Sequence, residues 1–269
     1  MQASFDDLFA IRGKTALVTG GSRGIGEMIA AGFLANGVKV YISSRKSDVC
    51  DATANRLAQS YGGECVSLPA DLSQMAGIES LAARLAERET RLDILVNNAG
   101  ASWGAPLDSF PESGWDKVMD TNVKGVFFLT QKLLPLLRRA AQDGAPARVI
   151  NVGSIDGLKT AAFETFSYGA SKAALHHLTR FMAAHLTKER ILFNAIAPGP
   201  FPTWMLSTGV GFRGETENVD WGSVGRRNPS GRVGSAEDIA GLAIFLASRA
   251  GEYVVGQTIA CDGGAVAAS

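Results

Sequence analysis

Cysteine and histidine are scarce, with three of each in 269 residues. Cys50, Cys65 and Cys261 are too few and too scattered for a disulfide framework or a thiolate metal site, so no metal is expected. His176, His177 and His185 crowd into one stretch and read as polar positions on a helix surface. A surplus of either charge is missing too, because 26 Lys and Arg balance 26 Asp and Glu. A nucleic-acid binder needs a basic excess or stripe, and that class is set aside. No apolar run nears the ~18 residues of a membrane span. The opening residues carry Asp6 and Asp7 and lack the apolar core of a secretory signal. The expectation is a cytoplasmic protein in a reducing compartment, with no membrane partner.

Hydrophobic residues are abundant at 46%, enough for a large core, and 31 glycines point to tight turns and close backbone approaches. Short apolar runs alternate with longer helical patterns. Strands are predicted at 15–19, 38–43, 65–68, 93–97, 148–152, 192–196 and 258–261. Helices are predicted at 25–36, 51–61, 77–88, 115–139 (with a kink at Pro135), 168–187 and 237–246. Such alternation implies βαβ units and a parallel sheet covered on both faces. The expected fold is α/β: a single-domain, Rossmann-type, doubly wound parallel sheet of seven strands flanked by helices, over residues 1–269. Residues 207–234 hold seven glycines and no clear period. An irregular stretch of that length is usually functional, and a substrate lid is expected over 203–234.

Three groups of residues carry chemistry. Gly20, Gly21, Ser22, Arg23, Gly24, Ile25 and Gly26 follow the first strand and open the first helix. There glycine lets backbone N–H groups approach a pyrophosphate, and the helix N-terminus adds partial positive charge. The second strand ends in Ser43, Ser44, Arg45 and Lys46, where many dinucleotide sites place a carboxylate for the ribose hydroxyls. Cations there, with Arg23, can pair with a 2′-phosphate, so the expected cofactor is NADP(H). Tyr168 and Lys172 lie one helical turn apart on one face, so the ammonium can lower the phenol pKa and make it a usable acid. Ser154, just past the fifth strand, could orient a carbonyl oxygen.

Taken together with Asn97-Asn98-Ala99-Gly100, Asn122 and Pro198-Gly199, these motifs resemble the short-chain dehydrogenase/reductase family over nearly the whole chain. Within that family the chain looks like the bacterial β-ketoacyl reductases. The resemblance implies that Tyr168 protonates the forming alkoxide, and that Lys172 depresses its pKa and holds the nicotinamide ribose. It implies that Ser154 orients the carbonyl and that Asn122 anchors a water relaying protons to Lys172. Asp71 and Leu72 would sit at the adenine, Asn98, Ala99 and Gly100 along the cofactor floor, and Pro198, Gly199 and Thr203 beside the nicotinamide. The implied substrate is a 3-oxoacyl thioester, carried on acyl carrier protein or on coenzyme A, and the implied assembly is a homotetramer. Another ketone, a secondary alcohol, or a catalytically silent NADP(H) sensor stay open as alternatives. Trp103, Ile155, Phe201, Trp204, Met205 and Phe212 are candidates for an apolar acyl site or for core. Arg138, Arg139, Lys188 and Arg190 are candidates for carrier docking.

Overall fold

The computed structural model describes residues 5–142, 144–161, 163–209 and 219–269. Seven parallel strands form one sheet in the order β3-β2-β1-β4-β5-β6-β7. They are β1 (Thr15–Thr19), β2 (Lys39–Ser43), β3 (Cys65–Ser67), β4 (Ile94–Asn97), β5 (Ala147–Val152), β6 (Ile191–Pro198) and β7 (Thr258–Cys261). Their apolar runs are continuous because both faces are covered. In β1, Ala16 and Val18 face one layer and Leu17 the other. The first layer packs α1 (Gly24–Ala35), α2 (Ser47–Tyr61) and α9 (Ala236–Ala247) on the sheet. The second packs α3 (Met75–Ala86), α5 (Gly125–Gln142) and α6 (Phe166–Leu186). A Cβ on Gly32 of α1 would stand 2.5 Å from the Ala240 Cβ, so α1 and α9 meet almost backbone to backbone.

The chain winds outward from β1 to β3 on one side and from β4 to β7 on the other. The reversal opens a crevice beyond the carboxyl ends of β1 and β4, the place where doubly wound sheets bind ligands.

The long helix expected over 115–139 is divided. Helix α4 (Glu112–Met119) runs into a π-helical turn at Asp120–Lys124 before α5 begins, and Pro135 lies inside α5. A π-turn adds a residue to the helical repeat and often marks a functional position. Here it carries Asn122. At the opposite end of the sheet, Arg148 is fully buried and donates from Nη2 to the Ser248 carbonyl at 3.1 Å, beside Glu252 Oε2 at 3.6 Å. Lys14 donates to Ala247 O at 2.8 Å, so two cations cover the carbonyl end of α9, where the helix dipole favours them.

Candidate active site

The turn after β1 forms a cradle. Gly20 and Gly24 adopt φ of 64° and 58°, a region that disfavours other residues. A Cβ on Gly20 would stand 2.7 Å from Asn98 Nδ2, and one on Gly26 would stand 2.3 Å from the same atom. Asn98 donates its side-chain amide to Thr19 O at 2.9 Å and Gly20 O at 3.2 Å. Thr19 Oγ1 accepts from the Asn98 and Ala99 amides, each at 3.0 Å. The Gly loop and the Asn98-Ala99-Gly100 loop are thereby tied into one floor. Arg23 caps α1 with extended backbone and no side-chain hydrogen bond, which leaves the N-terminal amides for an anion. Ser22 is buried and its carbonyl accepts from Thr53 Oγ1 at 3.1 Å. Ile25 packs on the core.

The Arg23 guanidinium loses some of its basicity to burial and to the neighbouring Arg45 charge, so these two cations share one region beside the loop. Arg23 also stacks on Trp204, 4.2 Å from the ring centroid. Ser44 Oγ donates to Lys46 O at 3.3 Å, and Ser44 O accepts from Ala70 N at 3.0 Å. Asp71 Oδ1 accepts from Ser73 N and Oγ at 3.0 and 2.8 Å, and Leu72 is buried in the second core layer. A backbone cradle that a Cβ would fill, uncapped helix amides and paired guanidiniums fit a dinucleotide carrying an extra phosphate.

The reactive side chains converge at the carboxyl ends of β4 and β5. Ser154 is buried at the end of β5, and its Oγ accepts from Asp156 N at 3.2 Å. Lys172 is buried on α6 and donates to Val152 O at 2.8 Å, with its ammonium 5.5 Å from the Tyr168 ring centroid. Asn122 is pinned from three sides. Its Oδ1 accepts from Ala101 N at 2.8 Å, and its Nδ2 donates to Ala101 O and Ser171 Oγ, each at 2.9 Å. Ser171 Oγ in turn donates to Tyr168 O at 2.7 Å. Ser171 is a supporting residue that motif reading passed over as a spacer between Tyr168 and Lys172.

Burial pushes Tyr168 up to about 12, with the Ser154 hydrogen bond opposing and the Asp156 charge adding. The Lys172 ammonium is turned to the Val152 carbonyl and lies over the phenol ring. Burial also lowers Lys172 to about 8, against the pull of Asp156.

One expectation is corrected at His176, expected on a surface. It is 4% exposed, one turn beyond Lys172. The Gly153–Gly157 turn rests directly on it, since a Cβ on Gly153 would fall 2.0 Å from Nε2. Neither ring nitrogen has a partner of hydrogen-bond geometry. Burial first, then Lys172, lowers its pKa to about 4 from an ordinary 6.5. The unfolded chain therefore takes up a proton that the folded one refuses. Stability is intact above pH 6.5 and falls as pH drops toward 4, by about 3 kcal/mol for this group. Urea unfolding at a series of pH values should show a smaller acid loss for His176→Leu than for the parent, and equal losses would remove His176 as the cause.

The remaining candidates separate by position. Gly199, after Pro198, donates its N–H to Cys261 O at 3.0 Å, and a Cβ there would meet Asp262 Cα at 2.8 Å. Thr203 Oγ1 accepts from Leu206 N at 3.3 Å at the start of α7 (Trp204–Gly209), which precedes the short α8 (Trp221–Arg226), and its Cγ2 abuts Gly24. Phe201 is 2% exposed beneath Gly234 and belongs to the core, not to a substrate surface. Trp103 packs on Gly114, with Lys117 Nζ 5.2 Å from its ring. Ile155 and Met205 are partly exposed, and Phe212 lies outside the described residues, as do 210–218 of the expected lid. Two members of the basic set lie at the other end of the sheet from this centre. Arg138 pairs with Glu189 at 2.7 Å and Arg190 donates to Gly144 O at 2.7 Å, just before β6 begins, at the opposite end of the sheet from Tyr168.

A family model described as "Enoyl-(Acyl carrier protein) reductase" matches residues 20–266. A Pseudomonas aeruginosa protein named rhamnolipids biosynthesis 3-oxoacyl-[acyl-carrier-protein] reductase is 50% identical over 256 residues, covering 95% of this chain and 97% of that one. Gluconate 5-dehydrogenase of Gluconobacter oxydans is 37% identical over 268 residues, covering 97% and 98%. A solved Pseudomonas aeruginosa RhlG/NADP active-site complex superposes with a TM-score of 0.89 at 48% identity, covering 97% of this chain and all of that one. The matched span runs from the Gly-rich turn past the last strand, through Ser154, Tyr168 and Lys172 in order, and by it the chain belongs to the short-chain dehydrogenase/reductase family.

Proposed function

We propose that the protein is an NADPH-dependent reductase that converts the ketone of a 3-oxoacyl thioester to the 3-hydroxyacyl product, in the supply of lipid or rhamnolipid precursors. The observation that carries this reading is the Ser154–Tyr168–Lys172 group, with Ser154 and Lys172 buried, at the sheet crevice beside the cradle and its two guanidiniums. The similarity to a 3-oxoacyl-[acyl-carrier-protein] reductase at 50% identity points to the substrate class, and that to the RhlG/NADP complex to the cofactor. Gly20, Gly24 and Gly26 would hold the pyrophosphate, Arg23 and Arg45 the 2′-phosphate, and Asn98, Ala99, Gly100, Pro198, Gly199 and Thr203 the nicotinamide half. When bound, the dinucleotide supplies the hydride.

The chain's own residues act on the oxygen. Ser154 donates a hydrogen bond to the carbonyl and fixes its orientation. The Tyr168 O–H bond breaks and a new O–H bond forms on the carbonyl oxygen, leaving a phenolate. A phenol held near 12 keeps its proton until negative charge builds on the substrate, which suits a donor in reduction. Lys172 then stabilises the phenolate while a proton returns from solvent by way of a water that Asn122 would anchor.

We read the chain as one catalytic domain, with 203–234 as the substrate lid. We also propose a homotetramer built through α5 and α6. Phe127 and Phe181 are exposed on these helices, and a groove of about 410 Å³ between them is lined by Val123, Phe127, Phe128 and Leu178. Among the described residues no helix is long and apolar enough to cross a membrane. All three cysteines are free, which fits a cytoplasmic setting.

The test is the initial rate of NADPH oxidation with a chain-length series of 3-oxoacyl thioesters, on coenzyme A and on acyl carrier protein, with NADH as control. A kcat of about 1–10³ s⁻¹ on one carrier is expected. No turnover on either carrier, with NADPH still bound, would move the assignment to a different ketone.

A further inference from the structure

Tyr168, Lys172 and His176 recur every fourth residue and share one face of α6. The reaction uses the first two and leaves the third without a part. His176 is buried, and neither ring nitrogen has a hydrogen-bond partner. What the ring does have is the turn after β5 lying on it. A Cβ on Gly153 would overlap Nε2, and one on Gly157 would stand 2.8 Å from Cε1. Neither glycine has a positive φ, so both are glycine for the room they leave and not for backbone freedom. Ser154 lies between them.

The other contacts of the turn run along the sheet or close it on itself. Gly153 N donates to Ile196 O at 2.7 Å, and Gly157 N donates to Ser154 O at 3.1 Å. Asp156 N donates to Ser154 Oγ at 3.2 Å. Lys172 Nζ donates to Val152 O at 2.8 Å, one residue before Gly153. Toward α6 the turn meets the helix backbone at Gly157 and the His176 ring at Gly153. The ring is therefore the side chain against which the Ser154 end of the turn comes to rest.

We propose that His176 is a positioning residue for Ser154. Its ring, by shape and not by hydrogen bonding, sets the spacing between the Ser154 turn and α6, and with it the spacing of Ser154 Oγ from the Tyr168 side of the site. A hydroxyl that orients a carbonyl acts through geometry, and a displacement of about 1 Å can cost about 10²-fold in rate. Without the ring, two residues that lack side chains would border a gap, and the turn would relax partway into it.

The inference rests on Ser154 as the partner of the carbonyl oxygen and not on which ketone is reduced. The test is a double-variant cycle on any ketone that turns over, read as kcat with NADPH affinity measured on the same samples. Ser154→Ala should lower kcat by about 10²-fold. His176→Ala should lower it about tenfold with NADPH affinity unchanged, and the two together should be no slower than Ser154→Ala alone. His176→Leu keeps the bulk, loses both nitrogens and should keep nearly the parental kcat. A residue that merely held up the fold would slow the Ser154→Ala enzyme by the same factor as the parent. Such additivity, an unchanged kcat in His176→Ala, or a His176→Leu as slow as His176→Ala overturns the proposal. If His176→Ala does not fold, Gly153→Ala supplies the converse, since its Cβ would press the turn off the ring. It should slow the parent and leave the Ser154→Ala rate where it was, and additivity there overturns the proposal equally. Full turnover in Ser154→Ala would instead withdraw the serine's own role in the proposed reaction, and the positioning claim with it.

Discussion

Tyr168→Phe should lower kcat by about 10²–10⁴-fold while NADPH still binds with nearly its original affinity. The substitution removes one oxygen. The ring stays, so its contact with Lys172 and the packing of α6 on the Ser154 turn are kept. What disappears is the hydroxyl proposed to give a proton to the carbonyl oxygen next to Ser154. Ser154 can hydrogen-bond that oxygen but holds no acid function at neutral pH. The Asn122–Ser171 link meets the Tyr168 backbone carbonyl, not its side chain, and is unaffected. Single-turnover rates, with NADPH binding measured by fluorescence on the same sample, separate the two quantities. Unchanged turnover would remove Tyr168 as the proton donor. Loss of both turnover and cofactor binding would indicate a collapsed site and leave the role undecided, which Ser154→Ala, with its smaller and more local loss, then resolves.

Arg45→Asp should reverse the coenzyme preference, with kcat/KM for NADPH falling by about two orders of magnitude relative to NADH. A hydrogen bond to a charged group contributes about 1.5–3 kcal/mol, and each 1.4 kcal/mol is about tenfold. The new carboxylate adds repulsion of a 2′-phosphate and a ligand for the ribose hydroxyls of NADH. Arg23 remains nearby and would keep part of the phosphate affinity, so the two arginines should be less than additive in a double variant. Ratios of kcat/KM for the two coenzymes, taken at one ionic strength, decide it. An undiminished preference for NADPH in Arg45→Asp would leave Arg23 as the sole determinant.

The strands were legible because a doubly covered parallel sheet needs unbroken apolar runs, and such runs announce themselves. β4 and β7 lie within a residue of their predicted limits, and β6 is longer by a residue before and two after. The Gly-rich turn was legible for a related reason, since few residues other than glycine accept φ near +60° with an amide 2.7 Å from the missing Cβ. The site's finer parts were not. The π-turn at Asn122 leaves no trace in apolar periodicity, because one extra residue in a long helix hardly disturbs a 3.6-residue pattern. His176 looks like its exposed neighbour His177, and only the crossing of the Gly153–Gly157 turn buries it. Phe201 resembled a pocket residue until Gly234 was seen to lie on its ring. Arg148 and Ser171 are polar residues in places that only tertiary partners justify.

The stack of Arg23 on Trp204 ties the start of α7 to the Gly-rich turn, with the guanidinium 4.2 Å from the ring centroid. A cation over a ring at an exposed site is held by about 0.5–1 kcal/mol, so the link steadies the rim of the cradle without fixing it.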